Sequence, residues 1–339
     1  MGTIKRLYIR HESAENEKRA PLVPKDVIRL IEKGIEVVVQ SSGSRIYSDE
    51  IYAKAGATIT NEPWYADKHK DALIIGLKEL TNLEKLNGHT HMFFSHSYKN
   101  QTNSKSILEA FRISNSKIYD FEYFVNKNNQ RLIAFGYHAG IVGASLGLKQ
   151  ATNNLTNAPD LENLTHFTNM GDLLKVFNKI NLQFLKIAIV GVNGRCGSGV
   201  KYILDLHKIP YTTFSKTDDM ATLKNFSLIY NCISLEETYN KVWFDKSSHI
   251  THHITIVDIS CDYTKPNNPI AIYNKATTWA KPVYKHNDLI DIIAIDNLPS
   301  LLPKESSDMF SSKCKDLILE YGSEIWQSCL EKYTLQSKT

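Results

Sequence analysis

Residues 185–199 read LKIAIVGVNGRCGSG, an apolar run that closes on glycines at 191, 194, 197 and 199 and opens directly into the amphipathic segment VKYILDLHKI. Strand, glycine-rich turn and helix in immediate succession are the layout of a dinucleotide-binding turn. A chain passing close under a pyrophosphate needs residues without side chains, and the helix it enters presents free backbone N–H groups and the positive end of its dipole to the anion. The spacing Gly191-x-x-Gly194-x-x-Gly197 departs from the commonest GxGxxG form, with Asn193 displacing the middle glycine and Arg195 and Cys196 inside the turn. The glycines alone would fit a purely structural turn, and the flanking strand and helix favour the nucleotide reading over it.

Outward from the turn, short β-rich runs alternate with helical ones almost from end to end, the signature of parallel α/β layers. Strands are expected around it at 185–190, 211–214, 226–233, 254–260 and 289–296, and in the first half at 4–10, 35–40, 71–77, 91–97 and 117–124. Between them PKDVIRLIEKG reads as a helix with Pro24 in its first turn and Gly34 at its end. AGIVGASLGLKQATNN is a small-residue helix suited to close packing across a domain junction, and 308–333 carries apolar residues at helical spacing. With 339 residues and 42% hydrophobic content the chain can bury two cores. We expect two doubly wound, Rossmann-like α/β domains with an active-site cleft between them. The dinucleotide domain is placed at 136–300, and a discontinuous catalytic domain at 1–135 plus 301–339.

Composition narrows the function. Lys and Arg number 40 against 36 for Asp and Glu, with no basic run of the kind a nucleic acid would need. No apolar stretch approaches a membrane span, and the N-terminus lacks a signal-peptide core. Five cysteines lie scattered without metal-ligand spacing and in odd number, which points to a reducing cytoplasm and to no metal.

Ionisable residues cluster at the expected carboxyl ends of strands, where open α/β sheets place their ligands. Lys78 and Glu79 follow ALIIGL, His96 and Lys99 follow HMFFS, and Asp120 and Glu122 fall on one side of an extended YDFEYF. Arg19 lies in the loop after the first strand, suited to a bidentate carboxylate clamp. These clusters, with the segments ESAENEKRAPLVP (12–24), IIGLKEL (74–80), FSHSYKNQ (94–101), RLIAFGYHAGIVGASLGL (131–148), VGVNGRCGSG (190–199) and IDNLPSLLPKESS (295–307), make the chain resemble the lysine-forming saccharopine dehydrogenases along nearly its whole length. It is more distantly similar to the alanine dehydrogenase and transhydrogenase group.

The resemblance implies an enzyme that oxidises the secondary amine of saccharopine with a nicotinamide cofactor and hydrolyses the resulting imine to L-lysine and 2-oxoglutarate. The family's general base and general acid fall on Lys78 and His96, and its substrate-binding cations on Arg19, Lys99 and Arg131. The family's residue near the nicotinamide falls on Asp296, for which an N-cap role ahead of LPSLLP is the plain alternative. The amine must lose a proton before hydride leaves its carbon, and a water must then be activated, so two groups titrating near neutrality are required. Glu79 and Glu122 are the carboxylates expected to tune them. The partners implied are small molecules only, with no nucleic acid or membrane, and the chain is expected to be a monomer or weak homodimer.

One departure touches the cofactor. The acid that accepts the adenosine ribose in NAD-reading relatives is replaced by Ser215, followed by Lys216, with Asp218 and Asp219 reaching its place only if the loop register shifts. The cofactor is expected to be NAD, with NADP left open because a serine followed by a lysine suits a 2′-phosphate. Cys196, at a helix N-terminus that favours its thiolate, and Cys232, after SLIYNCIS, meet at one sheet edge if their strands are first and fourth in a 3-2-1-4-5-6 order. A disulfide or plain packing follows from that juxtaposition. A different opine-type amine as substrate and a silent nucleotide-binding regulator are the competing readings, and the presence of both Lys78 and His96 argues against the latter.

Overall fold

A computed structural model describes residues 3–97, 104–177 and 182–336. The chain divides into two compact units, Met1–Ala134 with Pro303–Thr339, and Phe135–Leu302. The N-terminal part runs β1 (Arg6–Ile9), α1 (Pro24–Glu32), β2 (Glu36–Gln40), α2 (Asp49–Lys54), β3 (Thr58–Thr60), β4 (Leu73–Ile75), β5 (Thr90–Phe93), α3 (Ser104–Ile113) and β6 (Lys117–Asp120). The second unit follows with α4 (Gly136–Thr156), α5 (Met170–Leu174), β7 (Ile187–Val190), α6 (Arg195–Leu206), β8 (Thr212–Phe214), β9 (Leu228–Asn231), β10 (Ile254–Asp258), β11 (Tyr284–Asn287) and β12 (Ile290–Ile293). The chain then closes on α7 (Pro303–Leu319) and α8 (Glu324–Gln336).

In the first unit the sheet order is β3-β2-β1-β4-β5-β6, all parallel. Its inner strands are covered on both faces, so their sequences are continuous apolar runs such as Leu7-Tyr8-Ile9 and Leu73-Ile74-Ile75, every one of them buried. The expected strands at 91–97 and 117–124 end early, at Phe93 and Asp120. After Phe93 the chain turns through His96 at φ 53°. After Asp120 it winds into a single 3-10 turn, whose first N–H groups include that of Glu122, bonded to the Asp120 side chain. Asp120 and Glu122 are therefore related by a turn and not by strand alternation.

The C-terminal helices fix the site-bearing elements. Ser307 and Ser311 of α7, both fully buried, accept hydrogen bonds from the Ala20 and Val23 amides at 2.9 and 2.8 Å. These bonds pin the loop that enters α1. In α8, Trp326 packs on Tyr119 and Phe124, and Tyr333 donates to the Ser116 carbonyl at 3.0 Å, so β6 is held from behind.

The second sheet runs β11-β12-β10-β9-β7-β8. Two edge strands fall outside the expected set, β3 (TIT) and the antiparallel β11 (YKHN); both are short and polar, as edge strands commonly are. The small residues of α4 serve packing inside this unit, where a Cβ at Gly140 would strike the Cys196 carbonyl and one at Gly199 the Tyr137 carbonyl. α4 and α6 thus touch backbone to backbone. No helix among the described residues is long and apolar enough to cross a membrane.

One core residue carries a stability prediction. His91 on β5 is fully buried against Trp64 and Phe111, with ring centroids 4.8 and 5.4 Å away. Neither of its ring nitrogens has a hydrogen-bond partner among the described residues. Burial, helped by the charges of Arg10 and His89, holds its pKa well below the ordinary value. The unfolded chain therefore binds a proton below about pH 6.5 that the folded chain refuses, and stability from this group is lost as pH falls, by about 1.4 kcal/mol per pH unit. In urea unfolding between pH 6.5 and 5, His91→Leu is expected to flatten the decline by that amount. Parallel curves for parent and variant would show that His91 does not set it.

Candidate active site

The strand order of the first unit reverses between β1 and β4, the switch point at whose carboxyl end open sheets form a crevice. Lys78, three residues beyond β4, and His96, three beyond β5, emerge there on adjacent strands. Their side chains are 33% and 34% exposed, open enough for a solute to reach.

Each of these two side chains faces a buried carboxylate. Lys78 Nζ lies 4.0 Å from Glu17 Oε2, and His96 Nδ1 lies 4.0 Å from Glu122 Oε1. Burial alone would push the Glu17 carboxyl up, but the charge and hydrogen bonds of Arg19, with the charge of Lys78, hold it below the usual value. The carboxylate expected beside Lys78 was Glu79, which is exposed; Glu17 stands at ion-pair distance in its place. Arg19, expected to clamp a substrate carboxylate, is buried and donates through Nε and Nη2 to Glu17 at 2.8 and 2.6 Å. It clamps a carboxylate of the protein itself.

Glu122 also meets Arg131 Nη2 at 3.1 Å, leaving that guanidinium partly exposed beside His96. Asp120, read in advance only as sharing a face with Glu122, ties the cluster together by accepting from Ser95 Oγ at 2.7 Å and from the Glu122 amide at 2.9 Å. Burial and the neighbouring Glu122 charge raise its carboxyl pKa. His96 stacks on Phe94 with centroids 6.2 Å apart. Its left-handed backbone is a conformation that costs a non-glycine residue roughly 1–2 kcal/mol and tends to persist at functional sites. Lys99 lies outside the described residues.

In the second unit the glycine turn joins β7 to α6. Gly191 has φ +88°, and a Cβ at Gly197 would collide with the Gly191 carbonyl and the Val192 backbone. Gly194 is the N-cap of α6 and has no protein atom nearer than 3.5 Å to an added Cβ, so it is bare on the side that faces outward. Arg195 opens the helix and is exposed.

The strand end of β8 differs from its expected appearance. Asp218 turns back and accepts from the Ser215 amide at 2.6 Å. Lys216 is drawn off to Glu236 at 2.6 Å. Cys196 and Cys232 are both free thiols. Burial pushes the Cys196 thiol up to about 11 against the opposing pull of Arg195 and its own backbone, so the helix N-terminus does not make it a thiolate. Cys232 follows β9, the third strand of its unit and not the fourth, and β9 is the neighbour of β7 in the observed order. Asp296 is exposed and is not the cap of the 3-10 turn at Leu298–Leu301; Asn297 stands there, accepting from Trp279 Nε1 at 3.0 Å. A further buried acid, Asp258 at the end of β10, accepts from Tyr273, from Asn231 Nδ2 at 2.9 Å and from the Cys261 amide at 3.1 Å. Burial raises its pKa to about 6.

Comparison with known proteins bears on both units. Residues 8–142 match the family model for the N-terminal domain of alanine dehydrogenase and PNT. The chain is 34% identical to the NAD(+), L-lysine-forming saccharopine dehydrogenase of Candida glabrata, over 90% of this chain and 88% of that one. The chain belongs to the L-lysine-forming saccharopine dehydrogenase family. The enzyme of the same name from Schizosaccharomyces pombe is 32% identical over 90% of both chains, so the family relationship spans the two units alike. Among solved structures, an L-alanine dehydrogenase superposes with TM-score 0.71 at 13% identity, covering 96% of this chain and 94% of that chain. A transhydrogenase from Sinorhizobium meliloti does so with TM-score 0.64, covering 95% and 97%. These two carry the fold: two mostly parallel α/β sheets in one chain. Within this saccharopine dehydrogenase family member, Glu12 and Glu17 were not singled out in advance, whereas Asp120 was read as part of a strand-end cluster and Asp218 as reaching the ribose only on a shift of loop register. The available signal for the first two was acidic residues in the loop after an apolar strand, a sheet's ligand-facing edge.

Proposed function

We propose that the protein oxidises the secondary amine of saccharopine with NAD and releases L-lysine and 2-oxoglutarate, the reaction running in either direction. The observation that carries this reading is the pairing of Lys78 and His96 on adjacent strand ends, each within 4.0 Å of its own buried carboxylate. Two bases held apart on one edge suit a reaction with two separate proton problems. Lys78 takes the proton of the substrate amine, and Glu17 stabilises the ammonium that results. His96 then moves protons for the attacking water and the carbinolamine, with Glu122 stabilising its charged form. Arg131, together with Lys99, is the candidate cation for the substrate's three carboxylates.

The second unit is read as the dinucleotide domain. Gly194, bare at the head of a twelve-residue helix, suits close approach of a pyrophosphate to the α6 amides. NAD, when bound there, would supply the acceptor for the hydride that leaves the substrate carbon. Asp218 is read as the ribose acceptor: one carboxylate oxygen is fixed by the Ser215 amide, which orients the other, and Lys216 is engaged by Glu236 and drawn away from a 2′-phosphate. Asp218→Ala should then raise the NADH dissociation constant roughly 10- to 150-fold, the about 1.5–3 kcal/mol of a charged hydrogen bond. An unchanged constant would reduce Asp218 to a loop staple. The reading also takes the enzyme to be cytoplasmic, in keeping with its five free thiols, and a monomer or weak homodimer.

The test is to follow NADH and NADPH oxidation separately with 2-oxoglutarate and a panel of amino acids. Turnover with L-lysine alone, and with NADH in preference, is expected. Turnover with another amino acid, or with none, would overturn the proposal.

A further inference from the structure

At the switch point between β1 and β4 lies a buried ion pair that meets Lys78 through its backbone and not through its side chain. Arg10 and Glu12, 4% and 7% exposed, follow directly on β1, and Arg10 Nη1 donates to Glu12 Oε2 at 3.2 Å. The pair grips the backbone of the Lys78 segment from both sides. Glu12 accepts from the Leu77 amide at 2.6 Å and the Lys78 amide at 3.1 Å, while Arg10 donates through Nη2 to the Lys78 carbonyl. Gly76 makes room for this arrangement, because a Cβ there would collide with the Arg10 guanidinium. The same segment is bonded onward to the His96 loop, where the Phe94 amide donates to the Leu77 carbonyl at 3.2 Å. Charge-assisted bonds of this kind are short and directional, and a carboxylate accepting two successive amides fixes the peptide plane between them.

We propose that Arg10 and Glu12 are positioning residues for Lys78, setting the direction in which its side chain leaves the strand end and thereby its 4.0 Å approach to Glu17. The inference rests on the reading of Lys78 as the general base. The two peptide groups that flank the Lys78 Cα are held, one at its N–H by Glu12 and the other at its C=O by Arg10, so a flexible four-carbon side chain starts from a fixed root. Errors of about 1 Å in the placement of a reacting group cost on the order of 10²-fold in rate, which is the scale such a clamp controls.

Three substitutions separate placement from charge and from folding. Glu12→Gln retains the shape but replaces one acceptor by a donor. Glu12→Asp retains the charge but is one methylene too short to span both amides. Arg10→Lys retains the charge but loses the fork to the Lys78 carbonyl. Each is expected to lower kcat roughly 10- to 100-fold and to shift the basic limb of its pH profile, while KM for 2-oxoglutarate and the NADH dissociation constant stay within about threefold of the parent. Wild-type kcat and pH profile in Glu12→Asp would assign the effect to charge and overturn the proposal. So would kcat within threefold in all three variants, or loss of the folded state by circular dichroism in all three, which would make the pair a part of the core and not of Lys78's placement. Lys78→Met, run alongside, isolates the underlying reading: if it keeps turnover, the assignment of the base fails, whatever the clamp variants do.

Discussion

Lys78→Met is expected to lower turnover in both directions by roughly 10²–10⁴-fold, the range that a positioned general acid or base contributes. Met matches the length of the lysine stem and has no titratable group. The change should be tolerated by the fold, because Glu17 does not become an orphaned buried charge: Arg19 continues to donate to it through its amide, Nε and Nη2 at 3.0, 2.8 and 2.6 Å. NADH binding, read here as a property of the other unit, should change less than threefold. Steady-state kinetics in both directions, with NADH titrated by fluorescence, measure the two quantities. Turnover within a few fold of the parent would remove Lys78 from the proton chemistry, and the proposed site with it.

A comparably large effect is expected from a single methyl group in the glycine turn. Gly197→Ala places a Cβ against the Gly191 carbonyl and the Val192 backbone, atoms that cannot move without opening the turn. Overpacking of this sort costs about 1–3 kcal/mol, and because the strain falls on the peptide groups that would meet the pyrophosphate, NADH affinity should drop by one to two orders of magnitude. Gly194→Ala is the companion. Its Cβ meets nothing nearer than 3.5 Å, so the variant should melt at the parent temperature and still bind NADH more weakly, if the cofactor passes over that position. Parent-like dissociation constants in both variants would mean that the turn is not the pyrophosphate seat.

What the sequence disclosed and what it hid divide along a physical line. The glycine turn, the inner strands and the place of Lys78 and His96 beyond strand ends were readable because each depends on residues adjacent in the chain. The partners of those two side chains depend on sheet register. Glu79 lies exposed beyond the bend at Leu77 and Lys78, and Glu17 arrives from the loop after the neighbouring parallel strand, 61 positions earlier. Arg19 was legible as a carboxylate clamp, but nothing local told that the carboxylate would be Glu17, two residues before it. Asp218 was named only on condition of a register shift, and what position alone did not show was turn chemistry: the aspartate reaches back three residues to accept from the Ser215 amide. For Cys196 the visible cue, a helix N-terminus, was real but outweighed by burial behind α4, a contact made only in the fold.

The most direct measurement of the central claim follows the nitrogen. When 2-oxoglutarate, NADH and L-lysine carrying ¹⁵N at its ε-amine are incubated with the enzyme, mass spectrometry should find an adduct equal to the two reactants less one oxygen. That adduct should keep the label and form one-to-one with NADH consumed. Release of the label as ammonium, or oxidation of NADH with no labelled adduct, would contradict the account.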